Sequence, residues 1–179
     1  MIKTLLPVFV LVVVLCVLPA WASLNPKRVR LVDYNPTLNN YIFRCNMPKT
    51  SDGEFAYDLL KQYMNDVSLG ELGRPLPSDI YLIDVSLLNS ITDFLDVAIE
   101  KDYFAAHPEN GRLLHWPIIG NLENPHMLKE ELLKDLATRL DEWQWDKLTQ
   151  RVPALNLMLN TNFTRPTAMI VHCAAGVDR

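Results

Sequence analysis

Ile80-Tyr81-Leu82-Ile83 is a compact apolar run of strand formers, suited to a strand buried on both faces, and it follows a Gly/Pro-containing stretch over residues 70–77. Behind Ser90, Ile91, Phe94, Leu95, Ala98 and Ile99 recur at helical spacing, and Leu113-Leu114-His115-Trp116 then reads as a second strand. A strand, a crossover helix and a strand make a β-α-β unit, and the host of such a unit is a parallel sheet.

Working outward, residues 29–32 and 41–45 read as short strands separated by the turn-rich Asn35-Pro36-Thr37. Ser51-Asp52-Gly53-Glu54 has the spacing of a capping box and predicts a helix carrying Phe55, Leu59, Leu60, Tyr63, Met64 and Val67 on one face, with Gly70 as its stop. Asn124-Pro125 predicts another helix start, followed by Met127, Leu128, Leu132, Leu133, Leu136, Leu140 and Trp143 on one face. Glu130 with Lys134 and Asp135 with Arg139 are supporting pairs four residues apart. A further helical piece over residues 145–160 is disturbed by Pro153, and residues 167–171 form a strand aimed at His172. There is no internal repeat or heptad array. The order of elements indicates one α/β domain with a largely parallel central sheet, and a three-layer sandwich flanked by helices is the expectation.

The chain has 179 residues, 49% hydrophobic and 21% charged, with a net charge of −4, which excludes a disordered or collagen-like chain. The basic residues are scattered, so there is no footprint for nucleic acid. Residues 1–22 stand apart: Lys3, an apolar run over residues 5–18, then Pro19-Ala20-Trp21-Ala22-Ser23 with its A-x-A site. They read as a signal peptide cleaved after Ala22, with an uncleaved signal anchor as the alternative. A secreted or secretory-lumen protein, residues 23–179 with no integral span after cleavage, is the expectation. Asn162-Phe163-Thr164 is then an N-glycosylation sequon, whereas Asn35-Pro36-Thr37 is excluded by its proline.

Loss of the leader removes Cys16 and leaves Cys45 and Cys173, which in an oxidising compartment could form one disulfide. The surroundings of Cys173 suggest another role. It follows the strand as His172-Cys173-Ala174-Ala175-Gly176-Val177-Asp178-Arg179. Small residues after a strand end let backbone N–H groups converge on one anion, and Gly176 can take a positive φ. The Arg179 guanidinium can hold two phosphate oxygens, and a positive field there favours thiolate over thiol. His172 would orient the loop and support the thiolate electrostatically.

His172-Cys-x-x-Gly-x-x-Arg179 resembles the phosphate-binding signature of the cysteine-dependent protein tyrosine and dual-specificity phosphatases. The resemblance implies phosphomonoester hydrolysis: Cys173 attacks phosphorus, an acid protonates the leaving oxygen, and water hydrolyses the phosphocysteine, with no metal or organic cofactor. It implies phosphate binding by Ala174, Ala175, Gly176, Val177 and Arg179, and a phosphotyrosine protein or, alternatively, a phosphoinositide as substrate. Leu114-His115-Trp116-Pro117 looks like the family's acid-bearing loop, but Ile118 stands where the aspartate is usual. Asp178 resembles the Asp-Arg ending of lipid-directed members and is the preferred acid, with Glu123 as the substitute. Asp84 sits where relatives often carry Asp-Leu-Arg, yet Val85-Ser86 follows, so a turn or capping role is expected for it. Trp116, Trp143 and Trp145 are expected in the core, and His107, His115 and His126 show no metal-ligand spacing. In the family the loop leads into a helix whose N-terminus faces the phosphate, so a phosphatase-like domain is expected to continue past Arg179 and to lack its C-terminal helices here. Two other readings stay open: a phosphate-binding module without a working acid, and a secreted domain stapled by Cys45–Cys173.

Overall fold

A computed structural model of the protein describes residues 23–118, 129–131, 134, 138 and 146–176. The expected signal segment, Glu123, the helix start at Asn124, Trp143, Trp145 and His126 lie outside the described residues, as do Val177, Asp178 and Arg179.

The elements in chain order are β1 (Arg30–Asn35), β2 (Asn40–Asn46), α1 (Tyr57–Leu72), β3 (Tyr81–Ser86), α2 (Phe94–Ala106), β4 (Gly111–His115), α3 (Leu148–Leu159) and β5 (Thr167–Cys173). They build a five-stranded mixed sheet of order β1-β2-β5-β3-β4. β2, β5, β3 and β4 are parallel, and only the edge strand β1 runs antiparallel, joined to β2 by the turn read at Asn35. The α/β class and the mostly parallel sheet are therefore as expected from the sequence.

Side chains alternate across a strand, and two apolar clusters divide along that alternation. Tyr41, Phe43 and Cys45 of β2, Leu82 of β3, and Ala168 and Ile170 of β5 pack with Leu60 and Met64 of α1 and Phe104 of α2. Ile42, Ile83, Val85, Met169 and Cys173 pack in the other cluster with Leu159, Leu155 and Met158 of α3. β5 is central, so Ala168, Met169 and Ile170 are all fully buried. This is the both-faces burial that a continuous apolar run signals.

Three helix boundaries differ from the sequence expectation. Residues 51–54 do not cap a helix. They form a tight turn in which Thr50 N–H donates to the Glu54 carbonyl at 2.8 Å and Gly53 sits at φ +84°. Lys49 and Phe55 pair across that turn, and Lys49 Nζ is held 2.6 Å from Asp96 Oδ1 of α2, so the chain reverses before α1 begins. At the other end α1 runs through Gly70 to Leu72. Gly73 ends it at φ +65°, donating its N–H to the Leu69 carbonyl, as a left-handed glycine just past a helix does. α2 starts at Phe94 rather than behind Ser90, because the Asn89 side chain accepts from Ile91 and Thr92 N–H and holds that segment in a turn. The buried residues of α2 are Val97, Glu100 and Phe104, whereas Ile91 is 83% exposed.

α3 contains Pro153 and continues past it to Leu159. Glu130 and Lys134 make the expected pair at 2.8 Å on the surface. Among the described residues no helix is long and apolar enough to cross a membrane.

Candidate active site

Because β2, β5, β3 and β4 are parallel, their C-terminal residues Asn46, Cys173, Ser86 and His115 reach one edge of the sheet. The loops leaving that edge are where open α/β sheets bind ligands. Cys173 is the last residue of the central strand and is buried, with the loop 174–176 turning back over it. Gly176 N–H donates to Cys173 Sγ at 3.2 Å.

That loop is held from both sides. Met47 N–H, just past β2, donates to the Ala174 carbonyl at 3.2 Å, and Leu87 N–H, just past β3, donates to the His172 carbonyl at 2.9 Å. Gly176 has φ +70°, and a Cβ there would come within 2.6 Å of the Cys45 carbonyl oxygen and 2.7 Å of Asn46 N. Only glycine satisfies both the left-handed backbone and this approach to β2.

The loop after β4 joins the same edge. Trp116 N–H donates to the Ser86 carbonyl, Ile118 N–H to the Leu87 carbonyl, and the His115 ring nitrogen Nε2 lies 2.8 Å from the Leu88 carbonyl. That contact fits a proton on Nε2 and ties β4 to the β3 exit. Arg151 of α3 donates from Nη1 to the Trp116 and Pro117 carbonyls at 3.1 and 3.0 Å, with its guanidinium 5.8 Å from the Trp116 ring. Ile118 is buried in the apolar cluster that contains Cys173. Position 118, already read as lacking a carboxylate, is thus a packing position. Trp116 packs against the same cluster, as expected for it.

Asp84 corrects an expectation. It is neither a turn nor a cap, but lies inside β3, fully buried on the α1/α2 face of the sheet. His172 Nε2 lies 3.0 Å from Asp84 Oδ1 and 3.0 Å from Glu100 Oε1, and all three side chains are at most 1% exposed. One N–H cannot aim at both oxygens, and neither contact has hydrogen-bond geometry; His172 Nδ1 has no partner at all among the described residues. Burial alone would strip His172 of its charge, but the carboxylates of Asp84 and Glu100 outweigh it and hold the imidazole protonated well above its usual range. Burial pushes Asp84 up to about 6, against the pull of His172, and the Glu100 charge adds to the rise.

Cys45 is paired in register with His172, and Asn46 with Cys173. The one-residue offset points the two thiols to opposite faces of the sheet, and both cysteines are free. A Cys45–Cys173 staple is therefore absent from this fold. Burial, with Asp84 and Glu100 close by, pushes the Cys45 thiol well up and keeps it protonated.

The structure thus gathers His172, Cys173, Ala174, Ala175 and Gly176 at one strand end, while Val177, Asp178, Arg179 and Glu123 lie outside the described residues. Sequence reasoning missed Glu100 and Arg151. A lone carboxylate interrupting the buried run Ile83-Asp84-Val85 was the available signal that an ionic partner was needed. No family model matches the chain, and neither curated proteins nor solved structures yield a match.

Proposed function

We propose that the protein is a cysteine-dependent phosphatase that hydrolyses phosphomonoesters through a phosphocysteine at Cys173. The observation that carries this reading is the placement of Cys173. The thiol ends a central parallel strand, under a loop of Ala174, Ala175 and left-handed Gly176 whose amide already donates to Sγ. Consecutive amides in such a turn form an anion nest, and an adjacent nucleophile there can act on a bound phosphoryl group.

In this mechanism the Cys173 thiolate attacks phosphorus and the bond to the ester oxygen breaks. That oxygen takes a proton from Asp178, with Glu123 as the alternative donor. Water then gives a proton back to that carboxylate as it attacks phosphorus, the sulfur–phosphorus bond breaks, and inorganic phosphate and thiolate result. Arg179 and the amides of residues 174–177 hold the phosphoryl oxygens throughout. The scaffold is proposed as a three-layer, phosphatase-like sandwich, with α1 and α2 on one face of the sheet and α3 on the other. A phosphotyrosine protein in the secretory pathway is the proposed substrate, ahead of a phosphoinositide.

A specific observation favours a second reading, a phosphate-binding module without turnover: Ile118 is buried where an acid would be expected. Purified protein assayed side by side on an aryl phosphate, a phosphotyrosine peptide and a phosphoinositide separates these possibilities. Turnover abolished by Cys173→Ser supports the enzyme, and the preferred substrate sorts protein from lipid. Phosphate binding without turnover supports the module, and turnover that survives Cys173→Ser refutes the nucleophile.

A further inference from the structure

Next to the nucleophile, His172, expected to orient the loop, converges with two carboxyl groups that have no place in the phosphoryl chemistry. His172, from β5, meets Asp84 from β3 and Glu100 from α2 on the side of the sheet opposite the Cys173 thiol. Such a cluster is weak evidence for stability: well-packed apolar residues of similar volume commonly serve as well as a buried ionic triad or better. Unpaired atoms make it costlier still, since Asp84 Oδ2, Glu100 Oε2 and His172 Nδ1 have no hydrogen-bond partner among the described residues. A role beyond stability is called for.

The loop itself shows where that role lies. Ala174, Ala175 and Gly176 carry no polar side chain, and the Ala174 methyl packs against Met47, Leu88 and Val97. On the β2 side the loop is fixed by Met47 N–H on the Ala174 carbonyl and by the close approach of Gly176 to Cys45. On the β3 side its polar hold is through His172, whose carbonyl accepts from Leu87 N–H and whose ring lies between two carboxylates. The ring is equidistant from a strand and a helix, so loss of either carboxylate leaves it drawn to the other. His172 and Cys173 share a peptide bond, so the stretch of backbone that carries the held ring also carries the nucleophile.

We propose that Asp84 and Glu100 are positioning residues that clamp the His172 imidazolium and thereby fix the end of β5, the Cys173 thiol and the loop amides in phosphate-accepting geometry. This rests on the phosphatase reading. Holding a reactive group in its productive geometry through packing and polar contacts of residues that never touch substrate is a general route to catalytic precision. The titratable groups facing His172 are Asp84 from β3, Glu100 from α2 and the neutral Cys45 thiol from β2, and the buried Ser86 of β3 is its neighbour in register.

The test combines two measurements on the wild type, Asp84→Asn and Glu100→Gln. NMR titration of the His172 ring, assigned by loss of its signal in His172→Gln, reads the clamp directly. Binding of tungstate, a phosphate mimic, and turnover of an aryl phosphate read the loop. The expected results are a wild-type ring that is still charged at pH 7, above the ordinary range of histidine, a ring that loses its proton at lower pH in each variant, and at least a tenfold loss of tungstate affinity in each. A ring that is neutral at pH 7 in the wild type overturns the clamp even if no variant folds. Folded variants with wild-type tungstate affinity overturn the positioning role, and stoichiometric zinc or manganese surviving chelator dialysis overturns it by making the three groups ligands. Wild type that neither binds tungstate nor turns over overturns both the phosphatase reading and the positioning role that rests on it; the titration then tells whether the charged clamp exists without that use.

Discussion

Three glycines allow the architecture of the Cys173 loop to be tested by alanine substitution. Gly73 has φ +65° and open space where an added methyl would point, so Gly73→Ala meets backbone strain alone. Gly111 has an ordinary φ, but its Cβ would meet the Leu82 carbonyl and the Phe104 ring, so Gly111→Ala meets crowding alone. Gly176 meets both, with φ +70° and main-chain atoms of Cys45 and Asn46 at 2.6 to 2.8 Å from its Cβ. A left-handed non-glycine residue costs about 1–2 kcal/mol, and forcing a methyl into a packed site about 1–3 kcal/mol. The unfolded chain gives back about 0.4–1 kcal/mol by losing freedom when glycine is replaced. Gly73→Ala should therefore cost about 1 kcal/mol and Gly176→Ala about 2–4 kcal/mol. At roughly 2–4 °C per kcal/mol for a domain of this size, Gly176→Ala lowers Tm by about 5–15 °C. Scanning calorimetry measures the Tm, and aryl phosphate turnover should fall together with it, because relief of the clash pulls the Gly176 amide off Cys173 Sγ. A Gly176→Ala protein with the Tm loss of Gly73→Ala and full turnover would refute the reasoning.

The charge on Asp84 makes stability depend on pH in a set direction. Its carboxyl is raised from 3.8 to about 6 in the fold, so its contribution is greatest below pH 4 and is lost as pH rises towards 6. The raised His172 acts in the same sense at higher pH, stabilising below its ordinary 6.5 and losing that contribution as pH rises through its folded value. Chemical denaturation of wild type and Asp84→Asn at pH 4 and 6.5 should show the gap between them shift by about 2 kcal/mol in the variant's favour, since that window spans most of a two-unit rise at about 1.36 kcal/mol per unit; a constant gap would contradict the shift. Lys49 and Asp96 form a pair only 5% and 14% exposed. Lys49→Met should cost about 3–5 kcal/mol by stranding the carboxylate, and Lys49→Met with Asp96→Leu should recover part of it in the same assay. Asn162 is exposed between α3 and β5, so expression in a secretory host should yield a glycan that an N-glycosidase removes and that Asn162→Gln abolishes. A protein of unmodified mass would count against both the sequon and the leader reading.

Legibility in the sequence followed burial and polarity. The strands Tyr81–Ser86 and Thr167–Cys173 were readable from the apolar stretches 80–83 and 168–171, because central parallel strands bury both faces. The same logic failed where polar groups are buried. Glu100 lies in the face of α2 that packs on the sheet, while Ile91 and Phe94 lie outside it, so apolar periodicity set the start of that helix too early. Ser51 and Glu54 matched a capping box, but the tethering of Lys49 to Asp96 decided the turn, and that contact joins residues far apart in sequence. The site was legible as far as Cys173 and Gly176, whose chemistry is local. Asp84 and Glu100 were not assigned to His172, because only the β3–β5 register and the docking of α2 bring them together.

The most direct test of the central claim is rapid acid quenching of the protein during turnover of an aryl phosphate, followed by mass spectrometry of the peptide that contains Cys173. The expected result is a phosphoryl group on the Cys173 sulfur that is absent from Cys173→Ser. Turnover without that adduct, together with activity retained in Cys173→Ser, would contradict it.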